Sequence, residues 1–367
     1  MNINLNKNKS HSYFMQLALN QAEKVLGNTN ENPSVGCVIV KHGNVIAAGS
    51  TSQGGRPHAE RNAINFSKYR LKNSNIYITL EPCSHYGKTP PCVEAIIKNR
   101  IKKVFFSIED PDLRSFSKSS RKLRRYGIQV KKGILRSKIK NFYKSYINFK
   151  KENLPYVTCK MAVSKDFFTI NKKGRFITNN YSRGRVHLMR HNHDCLITSS
   201  STVIKDNPRF TCRIQGLNEM SPSRIILDSK LKIKINSNVI KDASKYNTII
   251  FFNKFRERKI KLLKKLNITL FKMPLDVDGN LDLREVLIKA KKLGFSRIFV
   301  ESGLKLSTSF LKKNLVNDFK LFISDKKIGN NGNSNLKNYF NTFFKNKRRN
   351  LEKINLFGEK LISYKLK

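Results

Sequence analysis

Acidic residues are scarce in this chain. Only 25 Asp and Glu stand against 73 Lys and Arg, a formal net charge of +48 over 367 residues. Such an excess would suit RNA or DNA, but the basic residues run along the whole chain and accompany a general enrichment in Asn and Ile. No dedicated nucleic-acid partner is therefore expected, whereas a phosphorylated small substrate suits the charge. Long apolar runs are also missing. No stretch reaches transmembrane length without charge, and residues 1–10 hold only Ile3 and Leu5 as large aliphatics, so no signal core is expected. A cytoplasmic protein with no membrane partner follows. Cysteine is limited to six positions. In a reducing compartment a Cys/His cluster reads as metal-binding rather than cross-linked. No internal repeat is visible, and no G-x-G-x-x-G occurs, so a Rossmann reading lacks its fingerprint.

What the sequence does contain is two successive α/β patterns, in a length too great for one small core. In the first, helical spacing covers residues 14–26, then 61–69, 92–99, 118–125 and 136–149. Strand-like runs fall at 35–40, 45–48, 76–80, 104–108 and 128–130, with residues 41–44 as a hairpin turn. The pattern breaks at Leu154-Pro155, which sets domains of 1–151 and 152–367. The second pattern has strands at 156–163, 195–198, 224–227, 248–252, 268–273, 297–300 and 319–323. Its helices lie near 182–191, 256–266, 282–293 and 304–313. The Asn/Lys-rich tail from Asn330 is expected to open with a mobile loop. Alternation of helix and strand places both domains in the layered α/β class.

The chemistry is concentrated in His58-Ala59-Glu60 and in T-L-E-P-C-S-H-Y-G-K-T-P-P-C at 79–92. One imidazole (His58) and two thiolates (Cys83 and Cys92) form the N/S ligand set that zinc takes in catalytic sites, with a fourth position open to water. Glu60 follows two residues after His58, placed to shuttle a proton without ligating. Cys92 begins a helix behind Pro90-Pro91, which favours its thiolate. Any one of these residues alone would be structural. H-x-E before a helix, P-C at a strand end and a second Cys at a helix start together make the zinc-deaminase arrangement. The nine-position step from Cys83 to Cys92 departs from the short P-C-x-x-C of nucleic-acid deaminases. His85, within that step, is a candidate substrate contact or an exposed loop residue, and His42 is a second alternative histidine. Cys37, Cys159, Cys195 and Cys212 sit in or beside apolar runs and read as packing residues.

These motifs, with N-P-S-V-G-C-V-I-V at 32–40, resemble the bifunctional deaminase/reductase family of riboflavin biosynthesis, from about Ser12 to the last strands. The resemblance implies a cytidine-deaminase-like three-layer domain followed by a dihydrofolate-reductase-like α/β domain. It implies zinc-dependent removal of the exocyclic amine of 2,5-diamino-6-ribosylamino-4(3H)-pyrimidinone 5′-phosphate. Reduction of the ribosyl to a ribityl chain with NADPH then gives 5-amino-6-ribitylamino-uracil 5′-phosphate. A homo-oligomer is expected with it. By likeness to K-M-A-V-S (160–164), L-I-T-S-S-S-T-V-I-K-D-N-P-R-F-T-C-R (196–213), R-I-I-L-D-S (224–229) and V-E-S-G-L-K-L-S-T-S-F-L (300–311), NADPH would meet Ala162, Phe176, Thr202, Asp206 and Ser229. It would also meet the turn Gly303, Leu304, Lys305, Leu306, Ser307, Thr308 and Ser309. Substrate would meet Lys160, Gly174, Arg190, Phe210, Arg213 and Glu301, with Arg190 facing its phosphate. The residues alone would give only a nucleotide-binding α/β candidate here. Two glycines of the family pattern are absent, between Asp112 and Ser119 and at Phe167. The competing readings are a nucleic-acid base deaminase and a deaminase whose reductase half is a non-catalytic module.

Overall fold

The computed structural model describes residues 10–172 and 176–367. Gly174, an expected substrate contact, lies outside them. The chain divides into two compact units, Met1–Glu152 and Asn153–Lys367.

Unit 1 runs α1 (His11–Glu23), β1 (Gly36–Lys41), β2 (Asn44–Ser50), α2 (Ala59–Phe66), β3 (Asn75–Leu80), α3 (Cys92–Lys98), β4 (Lys103–Ile108), α4 (Lys118–Arg125), β5 (Gln129–Lys132), α5 (Arg136–Phe142) and α6 (Lys144–Lys151). The sheet order is β2-β1-β3-β4-β5. β1 is antiparallel to both neighbours, and β3, β4 and β5 are parallel. In the β1–β2 turn His42 and Gly43 both take positive φ, 49° and 74°, as a two-residue hairpin requires.

Two glycines fix the layers. A Cβ on Gly36 would fall 1.8 Å from the Ala18 carbonyl oxygen of α1, and one on Gly49 2.6 Å from the Ala59 carbonyl oxygen of α2. Gly49 pairs with Cys37, the residue after Gly36. Successive strand residues face opposite sides, so α1 and α2 cover opposite faces of one sheet. This close approach brings α2, with Glu60 in its first turn, down onto the strands.

Three expectations for this unit change. The helix expected at 61–69 runs Ala59–Phe66. The first helix starts at His11, because the Ser10 hydroxyl caps it by accepting from the Tyr13 N–H, and it stops at Glu23. The single helix expected at 136–149 is two, broken at Tyr143 (φ −83°, ψ 6°). Tyr143 is buried, and its hydroxyl bonds Thr79 Oγ1 at 2.6 Å and donates to the Ser34 carbonyl at 3.0 Å.

Unit 2 runs β6 (Tyr156–Val163), β7 (Phe168–Asn171), α7 (Asn180–His191), β8 (Cys195–Ser199), α8 (Ser200–Asp206), β9 (Ser223–Leu227), α9 (Asn238–Lys241), β10 (Thr248–Phe252), α10 (Glu257–Lys265), β11 (Ile268–Lys272), α11 (Leu283–Lys292), β12 (Arg297–Glu301), α12 (Leu304–Lys312), β13 (Asp318–Ile323), β14 (Gly332–Asn335), α13 (Lys337–Phe344), β15 (Arg348–Leu351) and β16 (Lys360–Lys365). Its nine-stranded sheet has the order β11-β10-β9-β8-β12-β6-β13-β16-β15, parallel from β11 to β13. Alternate strand residues feed two cores. Val157, Cys159, Met161 and Val163 enter one, whereas Leu196, Ile226, Ile250 and Phe299 enter the other.

The tail is not an opening mobile loop. β14 pairs antiparallel with β7, and β16 pairs antiparallel with β13. Phe340, Phe344 and Tyr364 are buried there. A polar Asn/Lys composition concealed strands whose backbone bonds are made to distant partners. No helix among the described residues is long and apolar enough to cross a membrane. Cys37, Cys159, Cys195 and Cys212 are all buried, as packing residues should be.

Candidate active sites

In unit 1 the chain places His58 as the residue capping α2, Cys83 just beyond the end of β3, and Cys92 at the start of α3. The ligand atoms of these three side chains lie within 4.8 Å of one another. His58 Nδ1 is 3.5 Å from Cys83 Sγ and 3.4 Å from Cys92 Sγ. A tetrahedral centre with Zn–N and Zn–S bonds of usual length separates its ligand atoms by about 3.5 Å, so the donor set and its spacing fit zinc. The Cys92 N–H donates to Cys83 Sγ at 3.2 Å, and the Val93 N–H donates to the Cys83 carbonyl. The α3 N-terminus thus clamps the loop that supplies the first thiol. On the outer side Arg56 Nη1 lies 3.4 Å from His58 Nε2 and donates to Thr89 Oγ1 at 2.7 Å.

The two thiols share their proton unequally. The Cys92 hydrogen bond is the largest influence pushing Cys83 down, to about 4, and the same bond with burial pushes Cys92 well up. Glu60 is only 3% exposed. Burial pushes its carboxyl up to about 7, and it feels His58, Cys83 and a hydrogen bond with Cys92. A carboxyl that titrates near neutrality beside a ligand cluster can both accept and return a proton.

A neighbouring loop is tied to this site by Glu81, which sequence reasoning missed. Its Oε2 accepts from the Asp110 and Ser117 N–H groups, and Oε1 from Ser119 Oγ at 2.5 Å. Ser117 takes a positive φ of 55° without being glycine. His85 Nδ1 reaches Ser115 Oγ at 2.9 Å, which puts His85 against this loop rather than in open solvent.

In unit 2 the sites gather at the carboxyl ends of the parallel strands, where the chain order reverses around β12 and β6. The β12–β6 register sets Glu301 beside Lys160. Arg190, from α7, grips Glu301 with two bonds, Nε to Oε2 and Nη2 to Oε1, each 2.8 Å. Its Nη1 donates to the Thr211 carbonyl at 2.9 Å, and its guanidinium lies 5.7 Å from the Phe210 ring. Phe210 is buried with a positive φ of 57°. Burial lowers Lys160, while the ion pair with Arg190 holds Glu301 below its usual range against the opposing push of burial. Lys160, Arg190, Phe210 and Glu301 are therefore together, and Arg213 joins them through His187. His187 had gone unnoticed; its one signal is a position three residues before Arg190.

The cofactor set is partly assembled. Ser199, at the end of β8, caps α8 by accepting from the Thr202 N–H. Thr202 Oγ1 accepts from the Gly303 N–H at 3.2 Å and lies 3.5 Å from Ser302 Oγ. This joins the starts of α8 and α12, and the buried Thr198 hydroxyl nearby in sequence has no hydrogen-bond partner among the described residues. Hydroxyls and first-turn amides suit the phosphates of a dinucleotide. Along the rest of the expected turn most side chains have partners within the protein. Leu304 and Leu306 pack on the core, Ser307 is buried and donates to the Ser302 carbonyl, and Thr308 and Ser309 bond back to helix carbonyls. Lys305 and Asp206 are exposed, and Ala162 is half-buried on the strand face of Lys160. The Ser229 carbonyl accepts from the Asn253 and Lys254 N–H groups. Phe176 is exposed, with Arg183 4.2 Å from its ring centroid.

Comparison with known proteins assigns both units. Residues 8–108 match the cytidine and deoxycytidylate deaminase zinc-binding region, and residues 155–361 match the RibD C-terminal domain. The riboflavin biosynthesis protein RibD of Bacillus amyloliquefaciens is 35% identical over 86% of this chain and 85% of its own. That of Escherichia coli is 30% identical over 86% and 88%. Among solved structures, Acinetobacter baumannii RibD (form 2) aligns with TM-score 0.82 and 27% identity over 96% of this chain and 98% of its own. The Thermotoga maritima diaminohydroxyphosphoribosylaminopyrimidine deaminase/5-amino-6-(5-phosphoribosylamino)uracil reductase aligns with TM-score 0.81 and 29% identity, with the same coverage. Unit 1 has the cytidine-deaminase-like fold and unit 2 the dihydrofolate-reductase-like fold, with zinc and NADPH as the cofactors. The chain belongs to the RibD family, the bifunctional deaminase/reductases of riboflavin biosynthesis.

Proposed function

We propose that residues 1–151 deaminate 2,5-diamino-6-ribosylamino-4(3H)-pyrimidinone 5′-phosphate and that residues 152–367 reduce its ribosyl group to ribityl. The observation that carries the first half is the His58, Cys83 and Cys92 cluster with the buried Glu60 carboxyl against it. His58, Cys83 and Cys92 would hold zinc, which when bound supplies a water that ionises near neutral pH. Glu60 takes the proton of the attacking water and delivers it to the departing amine nitrogen, leaving the ring carbonyl and ammonia. Its burial excludes bulk water from that exchange. Small-molecule rather than nucleic-acid specificity is supported by the nine-position Cys83–Cys92 step. It is also supported by the large second unit.

In unit 2 the carrying observation is the Lys160, Arg190 and Glu301 cluster beside the Thr202–Gly303 junction. NADPH supplies the hydride, and Thr202 and Gly303 would seat it. Glu301 and Lys160 would orient the ribosyl chain. Arg190 is occupied by Glu301 and Thr211, so its part is to hold Glu301, and the exposed Arg213 would meet the substrate. A homo-oligomeric, cytoplasmic enzyme belongs to the same reading and rests on the family likeness alone. Anaerobic incubation with the diaminopyrimidinone phosphate and NADPH tests both halves. Ammonia should appear first and NADPH should then be oxidised. Deamination of RNA or single-stranded DNA instead, or no NADPH oxidation, would refute the corresponding half.

A further inference from the structure

The contacts of His187 bind it to the reductase pocket. It lies on α7 one turn before Arg190. Its Nδ1 is 3.2 Å from the Arg213 main-chain N–H and 3.3 Å from Arg190 Nη1. Its Nε2 is 3.2 Å from Arg213 Nη2, and the Thr211 carbonyl is 3.0 Å from Nδ1. A neutral imidazole has one N–H and one bare nitrogen: Nδ1–H donates to the Thr211 carbonyl, which leaves Nε2 to accept from Arg213 Nη2. An imidazolium carries two N–H groups and no acceptor. The charged groups that face the ring are Arg190 from its own helix, Arg213 from the loop after α8, and Glu301 from β12. Burial, then Arg190 and Arg213, push His187 down to about 4, with Glu301 opposing. Glu301 is itself gripped by Arg190 and does little to attract a proton to the ring.

We infer that His187 is a positioning residue of the reductase pocket, holding the Arg213 guanidinium beside the Arg190–Glu301 pair. The inference rests on the reading of unit 2 as the reductase and adds a part to it. Arg213 is exposed, and a free arginine side chain has many rotamers. An arginine already held in place loses less freedom when an anionic substrate arrives. The benefit therefore falls on substrate binding rather than on hydride transfer.

The test compares His187→Leu with His187→Gln in the full chain, using the deaminated ribosylaminouracil phosphate. Leu removes the acceptor, whereas the Gln Oε1 can stand near the Nε2 position and accept from the guanidinium. In Leu the reductase KM should rise about tenfold, the loss of one charge-assisted bond, with kcat changed less than about twofold by the same reasoning. Gln should bring KM back to within about threefold of the parent. As pH falls toward 4, the parent's KM should climb more steeply than that of Gln, because only the parent has a ring to protonate. Titration of the same compound by calorimetry without NADPH should show the same order in Kd. Equal KM in Leu and parent, or kcat and KM falling together in both variants, would overturn the inference in favour of simple packing. Tight binding without NADPH oxidation by the parent would sink the reductase reading alone, since the Kd order still decides His187. No binding by the parent would overturn both.

Discussion

Replacing Glu60 by Gln tests the deaminase chemistry and the electrostatics of its site at once. The change keeps side-chain volume and removes only the ability to ionise. Glu60 is 3% exposed, and burial raises its carboxyl from 4.5 to about 7. A group whose folded pKa is raised stabilises most below its unfolded pKa and loses that contribution as pH climbs through the folded value. At 1.36 kcal/mol per unit, the zinc-free parent should lose about 3 kcal/mol between pH 4.5 and pH 8 through this group. The Gln variant should not. In urea melts of chelator-treated protein the two should coincide near pH 4 and separate above pH 7, with Gln the more stable. Deamination, followed as ammonia release from the zinc-loaded protein, should fall about a hundredfold or more, about 3 kcal/mol or more in the barrier. NADPH oxidation with already deaminated substrate should be unchanged. Parental deamination by Glu60→Gln would refute the proton-shuttle role, and parallel stability curves would refute the buried-carboxylate account.

Three further outcomes follow from the geometry. Cys83→Ala removes a ligand and an acceptor of the Cys92 N–H, so zinc by metal analysis should fall from near one per chain and deamination should go with it. Gly303→Val should fold, because a Cβ there meets only Thr202 Oγ1, at an ordinary 3.7 Å. Its branched side chain should still weaken NADPH binding about tenfold or more in a fluorescence titration, since a phosphate can no longer approach the amide. Unchanged affinity would move the cofactor away from this turn. Asp242→Ala strips the carboxylate from Arg224, which is fully buried and also donates to the Arg209, Val239 and Tyr246 carbonyls. A loss of about 3 kcal/mol is expected in urea unfolding, since a buried charge is left uncompensated, and a loss under about 0.5 kcal/mol would mean the carbonyls suffice.

How much was legible depended on whether the signal was local. The parallel strands of both units are apolar runs bounded by polar residues, and periodicity found them within a residue or two. The deaminase site was legible because its ligands cluster in two short segments, where residue type and spacing already state the chemistry. Elements set by remote partners were not legible. β7 and β14 exist by pairing with each other across more than 160 residues of chain, and β15 has no buried residue to mark it. The break at Tyr143 depends on Thr79 and Ser34. In the reductase pocket Glu301, Arg190, Arg213 and Lys160 come from four separated segments, so only family likeness could join them. That likeness also implied a binding segment along α12, where the Ser307 side chain is buried.

Where the resemblance to the family implies a glycine, this chain has Phe167. Phe167 stands at φ 67°, the left-handed conformation that glycine adopts without strain. The turn is held from outside. The Asp166 carboxylate accepts from Ser164 Oγ and from the Ile328 and Gly329 N–H groups, and the Phe168 N–H donates to Ser164 Oγ. The Phe167 ring packs on the core, with Phe340 6.4 Å away. Left-handed backbone costs a non-glycine residue about 1–2 kcal/mol, and a partly buried ring returns roughly that amount. The ring and the strain therefore nearly cancel, and the two can be separated by substitution. Phe167→Gly loses both and should change stability by less than about 1 kcal/mol. Phe167→Ala keeps the strain and loses the ring, so it should be the less stable of the two by about 1 kcal/mol, the reverse of the usual ranking of Ala over Gly. Urea melts of both variants decide it. An Ala variant as stable as the Gly variant would mean the turn is not strained, and the loss of glycine would then need no compensation at all.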